Sequence, residues 1–140
     1  FTIGFSYLGD VMVELIQPIN DEPSPYQEFI AAGRTGLHHI GFWPEDFEKT
    51  CGEMLRSGYR EIASIRRSDG TKDVIYCDTP APVGIMVELA QMPPVRTTFL
   101  AGIKALAEGW DGSRPIRRYA TRAAFNASED CKAPASNQTQ

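Results

Sequence analysis

Two glutamates stand at the same place in two nearly identical heptapeptides. Residues 11–17 read VMVELIQ and residues 85–91 read IMVELAQ, with Glu14 and Glu88 at matching positions. Alternation along a β-strand places each carboxylate on one face of an otherwise apolar strand. Such a carboxylate is costly unless it is paired, hydrogen-bonded or bound to a metal. The matched pair favours metal binding over two solvent-facing glutamates or an ion pair with an arginine such as Arg66.

The chain's two histidines are adjacent, in the run GLHHIGF at residues 36–42. Neighbours on a strand point to opposite faces, so at most one of His38 and His39 can face a site. A neutral imidazole binds zinc, nickel, cobalt or iron, and glutamate oxygens complete mixed nitrogen and oxygen coordination spheres. A single histidine at a strand start is usually structural. With two strand-borne carboxylates available, the sequence favours one of these two histidines as a metal ligand.

The pattern of apolar and turn residues predicts the element order ββαβαβββα. The turn Gly9-Asp10 predicts a hairpin, and Ser24 followed by Pro25 predicts a helix start. The predicted strands are residues 2–8, 11–17, 36–42, 61–67, 73–78 and 83–91, and the predicted helices begin near residues 25, 44 and 94. The third helix must dock on this domain or on a second subunit. The repeated heptapeptide indicates a duplicated βαβββ module whose first copy is represented only by its final hairpin.

Composition limits the possible classes of protein. The chain has 140 residues, 42% of them apolar and 23% charged, which is typical of one globular domain. A net charge of −4 argues against nucleic-acid binding, and no run approaches the ~20 apolar residues that a membrane span needs. The N-terminus lacks the pattern of a signal peptide. Three cysteines without metal-like spacing favour a reducing, cytoplasmic compartment.

These segments resemble the vicinal oxygen chelate superfamily, also described as the glyoxalase/bleomycin resistance/dioxygenase fold. The resemblance rests on VELIQP at residues 13–18, a Ser-Pro-x-x-x-Phe helix at 24–29, GLHHIGF at 36–42 and IMVEL at 85–89. It covers about residues 1–93, and glyoxalase I and methylmalonyl-CoA epimerase are the most similar branches. It implies an α+β fold in which paired βαβββ modules form a cupped mixed sheet around a divalent metal.

The domain organisation rests on the resemblance for residues 1–93 and on the sequence pattern alone beyond them. Residues 1–93 form the glyoxalase-like domain, with 1–18 as the remnant of an incomplete first module and 36–92 as the complete second module. Residues 94–120 are a C-terminal helix and extension. Residues 121–140, polar and poor in apolar side chains, are expected to be a disordered tail.

The resemblance assigns three ligands of a divalent ion, which would be zinc, nickel, cobalt or iron. Glu14 and Glu88 match the last-strand ligands of the two modules, and His39 matches the first-strand ligand of the second. The fourth ligand, usually a histidine on the first strand of the first module, has no counterpart in this sequence. A longer chain or a second subunit would supply it. A cupped sheet that lacks most of its first module also leaves a sheet edge and apolar surface exposed, which favours a homodimer.

The implied function is that of a metal-dependent lyase or isomerase. It would move a proton next to a carbonyl of a small substrate, a hemithioacetal or an acyl thioester, with Glu88 as the base and Glu14 opposite. Whether this chain alone is an enzyme depends on the missing half of the site. One alternative is a metal-free binding protein of the bleomycin-resistance type, with an aromatic wall of Phe42, Trp43 and Tyr76. Another is a ring-cleaving dioxygenase, which needs iron held by two histidines and one carboxylate.

Overall fold

The computed structural model describes residues 1–81 and 84–132, which form two compact units. Unit 1 combines Phe1–Ile19 with the chain from Met92 onward, and unit 2 spans Asn20–Gln91. The elements in chain order are β1 (Thr2–Leu8), β2 (Val11–Gln17), α1 (Pro25–Ala31), β3 (His39–Phe42), α2 (Phe47–Arg56), β4 (Arg60–Arg66), β5 (Lys72–Asp78), β6 (Met86–Ala90), α3 (Pro94–Glu108) and α4 (Arg122–Asn126). The predicted α+β class is confirmed. Within the described residues, no helix is both long and apolar enough to cross a membrane.

The sheet of unit 2 has the strand order β3-β6-β5-β4. β3 runs parallel to β6, whereas β6 with β5 and β5 with β4 are antiparallel. The first strand of the βαβββ sequence thus lies beside the last one. The strand predicted at 83–91 is observed from Met86 to Ala90. Residue 83, where the prediction begins, lies outside the described part of the chain.

One face of this sheet is covered by α2. The buried side chains at this contact are Phe47, Cys51, Ile75, Cys77 and Leu89. The helix begins later than the predicted Pro44, because Asp46 caps it by accepting a hydrogen bond from the backbone N–H of Lys49. Alternation along the strands then turns Tyr76 and Glu88 to the other face of the sheet, which also bears His39.

Helix α1 begins as its sequence predicts. The side chain of Ser24 accepts from the backbone N–H of Gln27, and Pro25 occupies the first helical position. The Gln27 side chain does not reach back to Ser24; it donates to the carbonyl of Asn20. Two residues of this helix, Tyr26 and Phe29, are buried.

Unit 1 is built on the hairpin of β1 and β2. Gly9 has a φ of 61°, as a primed hairpin turn requires. The inner face of the hairpin packs on α3 and α4; the side chains involved are Phe5, Tyr7, Met12, Phe99, Leu100, Ile103 and Phe125. The rings of Phe5 and Phe99 meet edge to face with centroids 5.1 Å apart. The third predicted helix therefore docks on this chain's own hairpin.

One expectation for the C-terminal region is wrong. Residues 122–126 form α4, capped by Thr121, and a 3-10 turn follows at Asp130–Lys132, where the sequence predicted disorder. The cause is Phe125, which is buried against Phe99 and Tyr119 with ring centroids 5.4 and 5.2 Å away. Trp110 lies beyond the end of α3 and is 52% exposed. Residues 133–140 lie outside the described part of the chain.

Candidate metal-binding site

His39 and Glu88 lie on adjacent parallel strands of unit 2. In the β3–β6 register, His39 is opposite Met86 and Gly41 is opposite Glu88. His39 and Glu88 are thus offset by two positions, which turns both side chains to the same face. Nε2 of His39 lies 3.5 Å from Oε2 of Glu88, and the two side chains are only 10% and 14% exposed. The structure brings these two predicted ligands together.

The separation of the two atoms suits a shared metal ion. Nitrogen and oxygen ligands lie about 2.1 Å from zinc, so at a tetrahedral angle they are about 3.4 Å apart. The observed 3.5 Å agrees with that spacing. Gly41 has no side chain beside the carboxylate, and a Cβ there would make an ordinary contact of 3.7 Å with Oε1 of Glu88. The spacing of the donor pair is compatible with one divalent cation.

The surroundings of both histidines favour the neutral imidazole. Burial lowers the pKa of His39 below its usual value. Burial also lowers the pKa of His38, helped by neighbouring His39 and Arg34, against the opposing effects of the Pro25 carbonyl and the Glu88 carboxylate. A neutral imidazole has a free ring nitrogen for a metal, whereas an imidazolium has none. The contact between His39 and Glu88 is therefore better suited to shared coordination than to an ion pair.

His38 turns away from Glu88 and towards α1. Its Nε2 lies 3.3 Å from the carbonyl oxygen of Pro25, and its Nδ1 lies 3.0 Å from Nδ1 of His39. The rings of Tyr26 and Phe29 each pack 5.0 Å from its own ring. The sequence predicted only that one histidine faces the site, and it gave the other no role.

Tyr76 contacts Glu88 from β5, the strand on the other side of β6 from His39. It stands directly across from Glu88 in the β5–β6 register. Burial, the charge of Glu88 and hydrogen bonds to Glu88 and Tyr26 raise the pKa of Tyr76 far above its usual range, so it keeps its proton. A carboxylate only accepts, so Tyr76 donates to Glu88. Tyr26 then donates to Tyr76 across 2.8 Å between the two hydroxyl oxygens.

Glu14 belongs to unit 1. It is half-buried on β2, opposite Phe5, and alternation puts it on the same side of the hairpin as Met12. Within residues 1–81 and 84–132, no group of three or more histidine, cysteine, aspartate or glutamate side chains is arranged to hold a metal. The role of Glu14 as a third ligand stays a prediction.

A separate apolar groove of about 420 Å³ lies on the α2 side of the sheet in unit 2. Its lining residues are Phe42, Trp43, Pro44, Thr50, Met54, Tyr59, Val87 and Leu89. Val87 and Leu89 point to the face opposite Glu88. The predicted aromatic wall is thus divided: Phe42 and Trp43 line this groove, whereas Tyr76 lies on the face of His39 and Glu88.

The family of the chain follows from its N-terminal half. Residues 1–77, more than half of the chain, match the family model described as the Glyoxalase/Bleomycin resistance protein/Dioxygenase superfamily. The chain belongs to this superfamily. The stretch matched to the superfamily includes Glu14 and His39 and ends before Glu88. The resemblance stated from the sequence motifs is confirmed.

A solved structure of related fold supports the superfamily assignment. The crystal structure of a hypothetical protein from Bacillus halodurans C-125 aligns with a TM-score of 0.52 and 25% sequence identity. The alignment covers 65% of this chain and 66% of that one, so the chain spans just under two thirds of that protein. Comparison with curated proteins gives no match. Membership of the superfamily is therefore established without a particular activity.

Proposed function

We propose that this chain is a metal-dependent member of its superfamily that moves a proton next to a carbonyl, as a glyoxalase-like lyase or isomerase does. The observation that carries the proposal is the 3.5 Å approach of His39 Nε2 to Glu88 Oε2 in a largely buried position. A structural ion pair explains this contact poorly, because burial lowers the pKa of His39 and disfavours the charged imidazolium.

Glu88 has the properties of the proton-transferring base. Its Oε2 faces His39, and Gly41 on the neighbouring strand places no side chain beside its Oε1. In the proposed reaction this carboxylate takes the proton from the carbon next to the carbonyl. It returns the proton to the neighbouring carbon in a hemithioacetal, or to the same carbon in an acyl thioester. A divalent cation at the site would stabilise the negative charge that develops on the substrate oxygens. The hydrogen bond from Tyr76 orients the carboxylate for both transfers.

The substrate class follows from this chemistry. A proton next to a carbonyl becomes removable when the negative charge left on carbon spreads onto the carbonyl oxygen, as in the enediolate of a hemithioacetal or the enolate of an acyl thioester. We therefore propose a hemithioacetal or an acyl thioester as substrate. Zinc, nickel, cobalt and iron all accept a mixed set of imidazole and carboxylate ligands.

His39 and Glu88 alone are too few ligands, since catalytic sites usually hold the metal with three protein side chains. The proposal assigns Glu14 as the third ligand and a second copy of the chain as the source of the remaining half-site. β3 is the end strand of its sheet, and Ile40, Phe42 and Trp43 on or beside it are 43%, 53% and 41% exposed. Apolar side chains at a sheet edge favour association between copies.

Elemental analysis and native mass spectrometry on one sample test this proposal. We expect a dimer carrying stoichiometric zinc, nickel, cobalt or iron, and turnover of the hemithioacetal formed from a 2-oxoaldehyde and a thiol, or of a 2-substituted acyl thioester. A metal-free monomer that turns over neither substrate would refute it. Iron with catechol turnover would instead support the ring-cleaving dioxygenase.

The groove beside α2 favours a second candidate, a small-molecule binding protein. Its volume of about 420 Å³ lies in the range of ligand pockets, and its lining is mainly apolar and aromatic. Titration with planar aromatic drugs, followed by Trp43 fluorescence, tests this function. Trp110, the other tryptophan, is replaced by phenylalanine so that the signal has one source. Saturable quenching in metal-free protein would support binding, and its absence would rule this groove out.

A further inference from the structure

The backbone of α1 determines which ring nitrogen of His38 carries a proton. Nε2 of His38 lies 3.3 Å from the carbonyl oxygen of Pro25, which can only accept a hydrogen bond. Nε2 must therefore carry the proton of the neutral ring. Nδ1 of His38 is then a lone-pair acceptor. Pro25 itself is fixed at the capped first turn of α1, so this acceptor position is part of the backbone framework.

That assignment determines the proton of His39 as well. The two Nδ1 atoms are 3.0 Å apart, and a hydrogen bond between them needs one N–H and one lone pair. Because His38 supplies the lone pair, Nδ1 of His39 supplies the proton. A neutral imidazole has only one N–H, so Nε2 of His39 bears a lone pair. This is the atom that lies 3.5 Å from Oε2 of Glu88.

The ring of His38 is also held in place by its neighbours. Tyr26 and Phe29 of α1 pack on it with centroids 5.0 Å away, and Tyr76 lies 6.4 Å away. A flip of the ring about its Cβ–Cγ bond would put ring carbons in the places of both nitrogens, and so would lose both the Pro25 and the His39 hydrogen bonds. The arrangement therefore has one preferred direction, from His39 through His38 to the backbone.

We propose that His38 is a positioning residue that holds His39 in its Nδ1–H form and so directs the Nε2 lone pair to the metal position. The inference deepens the proposed metal site and rests on it. Ligand histidines usually donate their second ring N–H to an oxygen acceptor, and loss of that acceptor lowers metal affinity about 10–100-fold. In this chain the acceptor is a neighbouring imidazole.

Two substitutions separate the acceptor from the packing of the ring. His38→Phe keeps an aromatic ring between Tyr26 and Phe29 but removes the acceptor. His38→Asn restores an acceptor oxygen near the position of Nδ1. Phe29→Leu is the control, because it changes the packing around His38 and leaves its nitrogens intact. For each variant, calorimetry gives the zinc affinity, and nitrogen-15 NMR of the histidine rings gives the His39 tautomer in metal-free protein.

We expect His38→Phe to weaken zinc binding about 10–100-fold and to mix the two tautomers of His39. His38→Asn and Phe29→Leu should retain most of the affinity and the Nδ1–H form. An Nε2–H form of His39 in the unsubstituted protein would overturn the inference, as would unchanged tautomer and affinity in His38→Phe. If the unsubstituted protein binds no zinc, the proposed function fails, and the tautomer measurement still decides the role of His38.

Discussion

The two copies of the repeated heptapeptide have different surroundings. β2, which carries Glu14, has one partner strand, and Glu14 stands opposite Phe5. β6, which carries Glu88, lies between two strands, and Glu88 stands opposite Gly41 on one side and Tyr76 on the other. The same seven-residue pattern thus forms a hairpin arm in unit 1 and an inner strand in unit 2.

This difference shows what a strand sequence determines. Alternation of apolar and polar residues determines the face on which each glutamate lies, and it does so in both copies. The chemistry of the carboxylate depends on the adjacent strands. The inner face around Glu14 includes Phe5 and Met12, which pack into the core of unit 1. Glu88 is placed beside an imidazole and a hydroxyl, the surroundings on which the proposed proton transfer depends.

The largest expected effect is the loss of turnover in Glu88→Gln. An amide cannot take up a proton as a carboxylate does, so turnover should fall by about 10²–10⁴-fold. Glu14→Gln is the matched variant in the other heptapeptide. It should weaken metal binding and regain most of its turnover at saturating metal, because the base is intact. Steady-state kinetics at increasing metal concentration distinguish the two variants, with circular dichroism to verify their folding.

Two results would contradict this contrast. Turnover retained in Glu88→Gln would remove Glu88 as the base. An equally complete loss in both variants at saturating metal would mean that the two heptapeptides have equivalent roles, whatever their neighbours.

The next effect concerns the separate cores of the two units. Phe99→Ala in unit 1 should lower the free energy of unfolding by about 3–5 kcal/mol, because the ring packs edge to face on Phe5 and Phe125. Ile75→Ala in unit 2, at a fully buried position, should cost about 2–5 kcal/mol. Hydrogen exchange should show lost protection in the β1–β2 hairpin for the first and in β5 and β6 for the second. Identical exchange patterns would contradict two distinct cores.

Much of the framework was predictable from local sequence. The hairpin at Gly9-Asp10 and the start of α1 at Ser24 and Pro25 follow from turn and capping preferences, which act over a few residues. The pairing of His39 with Glu88 was also accessible, because their residue types and strand positions made them stand out in apolar runs. Similarity to a known family supplied the sheet arrangement that makes them neighbours.

The supporting residues could not be predicted in the same way. Tyr26 bonds to Tyr76 across 50 positions of sequence, and nothing local in either segment indicates the other. The His38 contact with Pro25 likewise depends on where α1 packs after folding. In the C-terminal region, Phe125 and the partly buried Cys131 pack into the core of unit 1 and order a segment whose composition is largely polar. Long-range packing decided each of these outcomes.

A smaller effect should follow from removing one hydroxyl. Tyr76→Phe keeps the ring and loses the hydrogen bond to Glu88, so zinc affinity should fall roughly tenfold. The matched variant, Tyr7→Phe, removes a hydroxyl from the hairpin of unit 1. It should leave zinc affinity unchanged, since Tyr7 lies opposite Met12 in the hairpin and has no Glu88 carboxylate across from it. Calorimetric titration of both variants with zinc tests this. Equal losses of zinc affinity would show that the hydroxyl of Tyr76 has no specific role in metal binding.

The smallest expected effect is an acid sensitivity confined to unit 2. Both histidines of the chain lie there, and burial lowers the pKa of each below the ordinary value of 6.5. As the pH falls below that value, the unfolded chain binds protons before the folded one, so the free energy of unfolding decreases. Above it, both states are neutral at these rings and the contribution disappears.

Hydrogen exchange of the metal-free protein at about pH 7.5 and about pH 5.5, corrected for the intrinsic exchange rate, measures this effect near the histidine range. Amides of β3 and β6 should lose protection at the lower pH, and those of β1 and β2 should keep it. His39→Gln should reduce the loss, because an amide side chain does not titrate in this range. Equal losses in the hairpin would mean that groups other than the histidines cause the acid response. In that case neutral imidazoles would no longer distinguish the surroundings of Glu88 from those of Glu14.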